Sequence, residues 1–234
     1  MKIIVPLAGP DFVTPEGIKG KIAVDGQPLL RRALESRSWW SNDGTDSAKL
    51  TIVMHDNAAT REFHRQDLAL WYPEATVIFL GRSARGAALS ALTGVTMVDD
   101  PDEVICVDLA DIMFDTCFDP GSLKANGVGA AALTFNSDSA TYSYLRTDRD
   151  GRFLEAAEKR VISNKASAGV YFFRSATIYL KALAYCLENA ERFTHNGLFY
   201  VCPLLNGVAA QGLDVLLSPV DNVVDIKISD ARSS

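Results

Sequence analysis

The chain has 234 residues, of which 48% are hydrophobic and 22% charged, and this reads as one globular unit with a substantial core. A formal net charge of −6 argues against a general nucleic-acid binder, which needs a basic face. It leaves small anionic ligands open, because a few local cations hold those.

The apolar run from Ile3 to Ala8 is too short to span a membrane and lacks the flanks of a signal peptide. It reads as a buried first strand, predicted over Lys2–Pro6. The loop behind it, Leu7-Ala8-Gly9-Pro10-Asp11-Phe12, carries a glycine and can present backbone N–H groups to phosphates; a plain surface turn is the competing reading. Lys19 and Lys21 follow, either as cations for a polyphosphate or as solvated surface. Helices are predicted over Pro28–Arg37, Ala58–Trp71 and Arg85–Met97, alternating with strands over Leu50–Met54, Thr76–Leu80 and Val104–Val107. Such alternation, with Val- and Ile-rich strands, implies a parallel sheet covered on both faces. The loops after the strands then share one edge, where ligands bind.

The fourth strand runs into Asp108-Leu109-Ala110-Asp111. Burying an unpaired carboxylate is costly, so an acid closing an apolar strand is a candidate for holding a hard divalent ion over a phosphate. Either aspartate fits, and a turn cap is the alternative. Beyond Phe114 the connections tighten, and strands over Gly129–Phe135, Thr141–Leu145 and Ser167–Phe173 suggest antiparallel or mixed additions. Glu158-Lys159 closes a further strand. An adjacent anion and cation can bind a phosphorylated polyol, or they are simply solvated. Gly169 would let a flat ring approach its backbone. Helices over Ala176–Ala190 and near Pro203–Ala210 precede closing strands at Leu213–Leu217 and Val223–Ile226, and Asp225 ends the last apolar run.

No linker divides the chain, and Asp230 to Ser234 reads as a loose end. Trp39, Trp40, Trp71 and Tyr72 read as helix-face packing rather than a cage for a quaternary ammonium, and His55, His64 and His195 carry no metal pattern. Cys106, Cys117, Cys186 and Cys202 form no CxxC pair and read as free thiols of a reducing cytoplasm.

Several segments, in order, resemble motifs of the nucleotidyltransferases that join sugar 1-phosphates to nucleoside triphosphates. They are KIIVPLAG (2–9), KGKIAVDGQPLL (19–30), Gly86-Ala87-Ala88-Leu89, Ala110-Asp111 with Phe114, Glu158-Lys159 with Ala168-Gly169-Val170-Tyr171, and Asp225-Ile226. Asn196 to Val201 with Pro203 is similar to a segment of members encoded with capsule and surface-polysaccharide genes. The resemblance implies a single-domain α/β, Rossmann-like (glycosyltransferase-A-like) fold. Its sheet would be mixed and mainly parallel, with helices on both faces. A nucleotide-binding part would span about 1–115 and an acceptor-binding part about 116–234.

The resemblance also implies roles. Asp111 and Asp225 would hold Mg²⁺, and Lys19 would contact the triphosphate. Leu7, Ala8, Gly9, Gly86 and Ala87 would lie against base and ribose. Lys159 would take the acceptor phosphate, Glu158 its hydroxyls, and Gly169 would border the same substrate. The partners implied are a nucleoside triphosphate and a small phosphorylated acceptor, with no nucleic acid and no membrane; a homo-oligomer is left open.

Two departures stand out. The family loop reads Gly-x-Gly-Ser/Thr-Arg, whereas Gly9 is followed by Pro10, Asp11 and Phe12, so a backbone donor is lost and an anion added. Lys227 stands where the family has glycine. Lys19, Lys21, Arg82 and Arg85 are candidates to replace the missing cation. Three alternatives follow: a cytidylyltransferase acting on a non-sugar phosphate, a glycosyltransferase consuming a nucleotide sugar, and a non-catalytic nucleotide- or sugar-binding relative. The second expects Asp-x-Asp, which the spacing of Asp108 and Asp111 misses.

Overall fold

The computed structural model describes residues 1–41, 45–82, 84–125 and 127–225. Strand β1 (Lys2–Leu7) pairs in parallel with β2 (Leu50–His55), and β2 pairs in parallel with β3 (Thr76–Leu80). On its other side β1 pairs in parallel with β4 (Ile105–Asp108). Helices α1 (Leu29–Glu35), α2 (Ala58–Phe63) and α3 (Ala87–Val95) make the crossovers. The chain therefore steps outward from β1 through β2 to β3 and then returns to β1's opposite flank. The strand order thus reverses between β1 and β4, the kind of switch point beside whose carboxyl ends open α/β sheets form their ligand crevice.

The remaining strands are β5 (Ile112–Asp115), β6 (Val128–Asn136), β7 (Ser143–Thr147), β8 (Phe153–Glu158), β9 (Lys165–Phe173), β10 (Asp214–Pro219) and β11 (Asp221–Asp225). They extend the sheet in the order β8-β7-β9-β4-β1-β2-β3, with β6 on β9 and β10 on β6. β9 runs antiparallel to β4, β6 and β7, so the sheet is parallel in its N-terminal half and mixed beyond. β5 and β11 form a separate antiparallel ribbon in which Asp225 faces Ile112.

Strict alternation divides the core between the two faces, because successive side chains on a strand point to opposite sides. Ile3, Val5, Ile52, Met54, Cys106 and Phe172 pack with α1 and α2. Ile4, Val53, Val107, Tyr171 and Phe173 pack with α3, α4 (Ala176–Glu188) and α5 (Leu204–Ala209) on the other face. Ser175 caps α4 by accepting a hydrogen bond from the Ile178 amide at 3.2 Å. No helix among the described residues is long and apolar enough to cross a membrane.

Three expectations change. The segment predicted as one helix over Ala58–Trp71 continues past α2 as a π-helical turn, His64–Leu68, before a last turn at Ala69–Trp71. Phe63 and Leu68, five residues apart, are both buried, and the wider turn keeps both on the core side. β5 was not anticipated, since Ile112-Met113-Phe114 is too short a run to announce a strand without its partner β11. The closing strand spans Asp221–Asp225, while Ile226, Lys227 and the expected loose end at 230–234 lie outside the described residues.

The aromatic residues pack against the core, though of the four only Trp71 lies on a helix, Trp39, Trp40 and Tyr72 standing in the connections that follow α1 and the Ala69–Trp71 turn. Trp39 meets Phe172 edge-on at 5.0 Å, Trp40 meets Tyr72 at 5.6 Å and Trp71 meets Phe63 at 5.7 Å, so they sit in separate core contacts. All four cysteines are free; Cys106, Cys186 and Cys202 are buried and Cys117 is exposed.

Candidate functional site

The two aspartates at the end of β4 have different fates. Asp108 is 1% exposed and forms a two-point ion pair with Arg37, which follows α1: Nε donates to Oδ2 at 2.8 Å and Nη2 to Oδ1 at 3.0 Å. Its Oδ1 also accepts the Ala110 amide at 2.8 Å. Asp108 is therefore a buried structural carboxylate, and of the two ligand candidates only Asp111 remains. Ala110 takes a left-handed conformation (φ +53°), turning the chain between the end of β4 and Asp111. Asp111 lies 3.7 Å from the Lys19 ammonium, with both side chains about four-fifths buried (18% and 19% exposed).

Gly169 lies by the other carboxylate oxygen of Asp111, Lys19 being nearest Oδ2. A β-carbon built on it would lie 3.4 Å from Asp111 Oδ1 and 3.5 Å from Leu109 Cβ, and its carbonyl accepts the Leu109 amide at 3.0 Å. Its φ of +77° falls where β9 slips register against β6, between the pairs Ala132↔Tyr171 and Thr134↔Ser167. A bulge of this kind re-aims the backbone, and glycine reaches the required φ without steric cost. Ser167 braces the bulge, accepting the Gly169 amide at 3.1 Å and donating to the Tyr171 hydroxyl at 2.7 Å.

Asp225 is brought beside this cluster by the ribbon, where it pairs with Ile112, the neighbour of Asp111. Tyr142 Oη donates to Asp225 Oδ2 at 2.7 Å. Burial, the Asp225 hydrogen bond and then the charges of Asp225 and Asp111 push the Tyr142 phenol far above its ordinary range. Both carboxylates thus act on one hydroxyl. The Tyr142 carbonyl in turn accepts the Lys159 amide at 3.1 Å, which ties the aspartate cluster to the Glu158-Lys159 pair.

Glu158 ends β8 and accepts a hydrogen bond from the Ser143 hydroxyl. Lys159, with φ +50°, leaves the strand into solvent, and its ammonium lies 5.8 Å from the centre of the Tyr200 ring. Tyr200 follows a small hairpin, Thr194–His195 against Leu198–Phe199, closed by left-handed Asn196 and Gly197. That hairpin lies on the loop before α3. Gly86 has φ +106°, and a β-carbon there would sit 2.2 Å from the Phe199 carbonyl oxygen, so only glycine fits. The Phe199 amide donates to the Arg85 carbonyl at 2.8 Å, and Arg85 Nη2 donates to the Gly197 carbonyl at 3.1 Å. Gly86 and Ala87 are thereby joined through the hairpin to Tyr200 and Lys159.

The loop after β1 is a compact turn. Ala8 is buried, Gly9, Pro10 and Asp11 are exposed, and Phe12 returns to the core against Phe63 with ring centres 6.0 Å apart. The Phe12 amide donates to the Gly9 carbonyl at 3.3 Å, and the Lys19 amide donates to the Phe12 carbonyl at 2.9 Å. Leu7, Ala8 and Gly9 leave β1 at the crevice, and Lys19 is held to the same loop. Lys21 does not join it; its ammonium pairs with Asp67 at 2.7 Å.

Asp111, Asp225, Lys19 and Gly169 are the predicted residues that the fold gathers most closely. Tyr142, Arg37 and Ser143 were missed. Alternation in the strand predicted over Thr141–Leu145 marks Tyr142 as one-sided, but nothing local marks any of the three as a partner of an acid.

The donor chemistry fits magnesium. Asp111, just before β5, and Asp225, which ends β11 opposite Ile112, offer hard carboxylate oxygens, and no group of three or more His, Cys, Asp or Glu side chains is placed to hold a metal among the described residues. Mg²⁺ is commonly held by one or two carboxylates, with waters and substrate phosphates completing its shell.

No protein-family model and no curated protein matches the sequence. Solved structures do. The chain overlays a nucleoside-diphosphate-sugar pyrophosphorylase from Vibrio cholerae RC9 with a TM-score of 0.79 at 20% identity, covering 99% of this chain and 98% of that one. A putative glucose-1-phosphate thymidylyltransferase from Bacillus anthracis matches with a TM-score of 0.73 at 16% identity over 100% and 93% of the two chains. The inositol-1-phosphate CTP transferase from T. maritima matches with a TM-score of 0.64 at 15% identity over 99% and 94%. This chain has their fold. At such identities the likeness is one of fold, and the chemistry rests on the residues above.

Proposed function

We propose that the protein is a metal-dependent nucleotidylyltransferase that joins a nucleoside triphosphate to a sugar 1-phosphate or another small phosphorylated acceptor. The observation that carries this reading is Asp111 just past the carboxyl end of β4, with the Lys19 ammonium 3.7 Å from its Oδ2 and the Gly169 bulge beside its Oδ1. An acid, a cation and an open backbone at a sheet's switch point suit phosphates better than any other substrate class.

In this reading an acceptor phosphate oxygen attacks the α-phosphorus, the bond from that phosphorus to the bridging oxygen breaks, and pyrophosphate departs with the electron pair. Such an in-line displacement needs alignment and charge neutralisation rather than a covalent enzyme group. Lys19 neutralises the triphosphate, while the Leu7, Ala8, Gly9, Gly86 and Ala87 backbone lies along base and ribose. Lys159 holds the acceptor phosphate, Glu158 accepts its hydroxyls, and Gly169 leaves room for its ring. Asp111 and Asp225 would hold Mg²⁺, which when bound would neutralise charge on the transferring nucleotidyl phosphate. We divide the work between a nucleotide part over about 1–115 and an acceptor part over about 116–234. The pathway we assign is surface-polysaccharide synthesis.

Two other readings each have an observation in their favour. The T. maritima neighbour handles inositol 1-phosphate with CTP, which supports a cytidylyltransferase acting on a non-sugar phosphate. The Gly9–Phe12 turn spends a backbone donor on itself and carries Asp11, which supports a non-catalytic nucleotide- or sugar-binding relative. One experiment separates them: pyrophosphate release with Mg²⁺, each nucleoside triphosphate and a panel of sugar 1-phosphates and phosphorylated alcohols. Release with one sugar 1-phosphate pair carries the first reading, and release with CTP and a non-sugar phosphate carries the second. Silence across the panel together with saturable nucleotide binding leaves the third.

A further inference from the structure

We propose that Arg37 is a positioning residue that sets the aim of Asp111. Its planar guanidinium grips both ends of the short loop that carries Asp111. On the near end, Nε and Nη2 hold the two oxygens of Asp108 at 2.8 and 3.0 Å; on the far end, the same Nη2 donates to the Ile112 carbonyl at 3.1 Å. Between these anchors lie only Leu109, Ala110 and Asp111. Asp108 adds a third restraint by accepting the Ala110 amide at 2.8 Å, which holds Ala110 in its left-handed conformation. The fork is itself immobilised, because the guanidinium carbon lies 4.0 Å above the Phe114 ring and both partners are 1% exposed. A lysine would supply the charge but not the fork that spans a carboxylate and a carbonyl at once.

Stability is a poor explanation for this arrangement. Buried ion pairs are often matched or bettered by apolar residues of similar volume, and here Arg37 Nη1 is buried with no hydrogen-bond partner among the described residues. What the pair supplies is geometry. With both flanks of a three-residue loop tied to one rigid group, the Asp111 carboxylate is held beside Lys19 and Gly169. The inference rests on the proposed role of Asp111 as a metal-holding carboxylate, so its test carries one readout independent of that role.

The test compares wild type with Arg37→Lys and with the charge-free pair Arg37→Met plus Asp108→Leu. Three quantities are measured per folded molecule: Mn²⁺ binding without substrate by water-proton relaxation, kcat and nucleotide KM for pyrophosphate release, and amide hydrogen exchange. Loss of the clamp is expected to weaken Mn²⁺ binding by about 10- to 100-fold, the usual effect of removing a group that orients a metal ligand. It should lower kcat by about 100-fold, as expected for a misplaced catalytic group, with nucleotide KM held. Exchange should accelerate at Leu109, Asp111 and Ile112 but not in β1 or β2. If either folded variant keeps wild-type Mn²⁺ affinity and wild-type exchange across this loop, Arg37 is only a packing residue and the proposal fails. If wild type itself neither binds Mn²⁺ nor releases pyrophosphate, the proposed function fails instead, and the exchange data alone decide whether Arg37 holds the loop.

Discussion

Replacing Gly169 with alanine inserts a methyl group between the bulge of β9 and Asp111. Two terms set the cost to folding. Placing a side chain at φ +77° costs about 1–2 kcal/mol. The new β-carbon would meet Asp111 Oδ1 at 3.4 Å and Leu109 at 3.5 and 3.6 Å, which is ordinary van der Waals contact and adds little. For a chain of 234 residues, each kcal/mol moves Tm by about 2–4 °C, so the expected drop is about 2–8 °C. Gly212 provides the control: its φ is +74° and nothing lies within 4 Å of the added carbon, so Gly212→Ala carries the backbone term alone. The two variants should melt at similar temperatures. They should differ at the site, where one methylene-sized intrusion on a substrate surface is worth about 10- to 200-fold in the acceptor's kcat/KM. The assay is steady-state pyrophosphate release with the acceptor varied at saturating nucleotide. Equal acceptor kinetics for Gly169→Ala and Gly212→Ala would refute the placement of the acceptor against Gly169.

Asp111→Asn and Asp225→Asn should each lower pyrophosphate release by at least about 100-fold, with melting curves close to wild type; this is the pattern for groups that orient the reaction and do little for folding. A collapse of Tm in either variant would assign that carboxylate a structural role. Lys159→Ala should raise the acceptor KM by about 10- to 150-fold through loss of a charge-assisted contact, leaving kcat and nucleotide KM nearly unchanged. Native protein at pH 8 should show one thiol reacting rapidly with an aromatic disulfide, Cys117, and four after denaturation. Burial pushes the Cys106 and Cys202 thiols well up and that of Cys186 to about 12, so their reactive thiolates are scarce at that pH. Two or more fast thiols in the native state would contradict this packing.

Much of the frame is legible in local pattern. β3 matches the strand predicted over Thr76–Leu80 residue for residue, and β1, β2, β4 and the cores of α1, α3 and α4 lie within a few residues of their predicted spans. These segments announce themselves because an apolar run or a helical stripe buries itself wherever it lies in the fold. β5 did not, because a four-residue strand is stable only against a partner, and β11 is more than a hundred residues away. The π-helical turn after α2 was hidden for a similar reason. Its spacing serves the buried positions of Phe63 and Leu68, which the sequence writes as two ordinary apolar residues.

The site divides along the same line. Order along the chain put Lys19, Asp108, Asp111, Gly169 and Asp225 among the candidates, and only the family resemblance singled out Asp111 and Lys19. Read from the residues alone, either aspartate fits a metal, and Lys19 and Lys21 are both candidate cations. Those choices depend on residues far away in sequence: Arg37, 71 positions before Asp108, removes that carboxylate from solvent, and Asp67, 46 positions after Lys21, takes its ammonium. The sequence alone determined which residues close the strands, because that follows from local burial. Only the tertiary structure decided which of those charges stay beside the crevice, because a charge is neutralised by whatever the folded chain brings within about 4 Å of it, and distance in space is not written in distance along the chain.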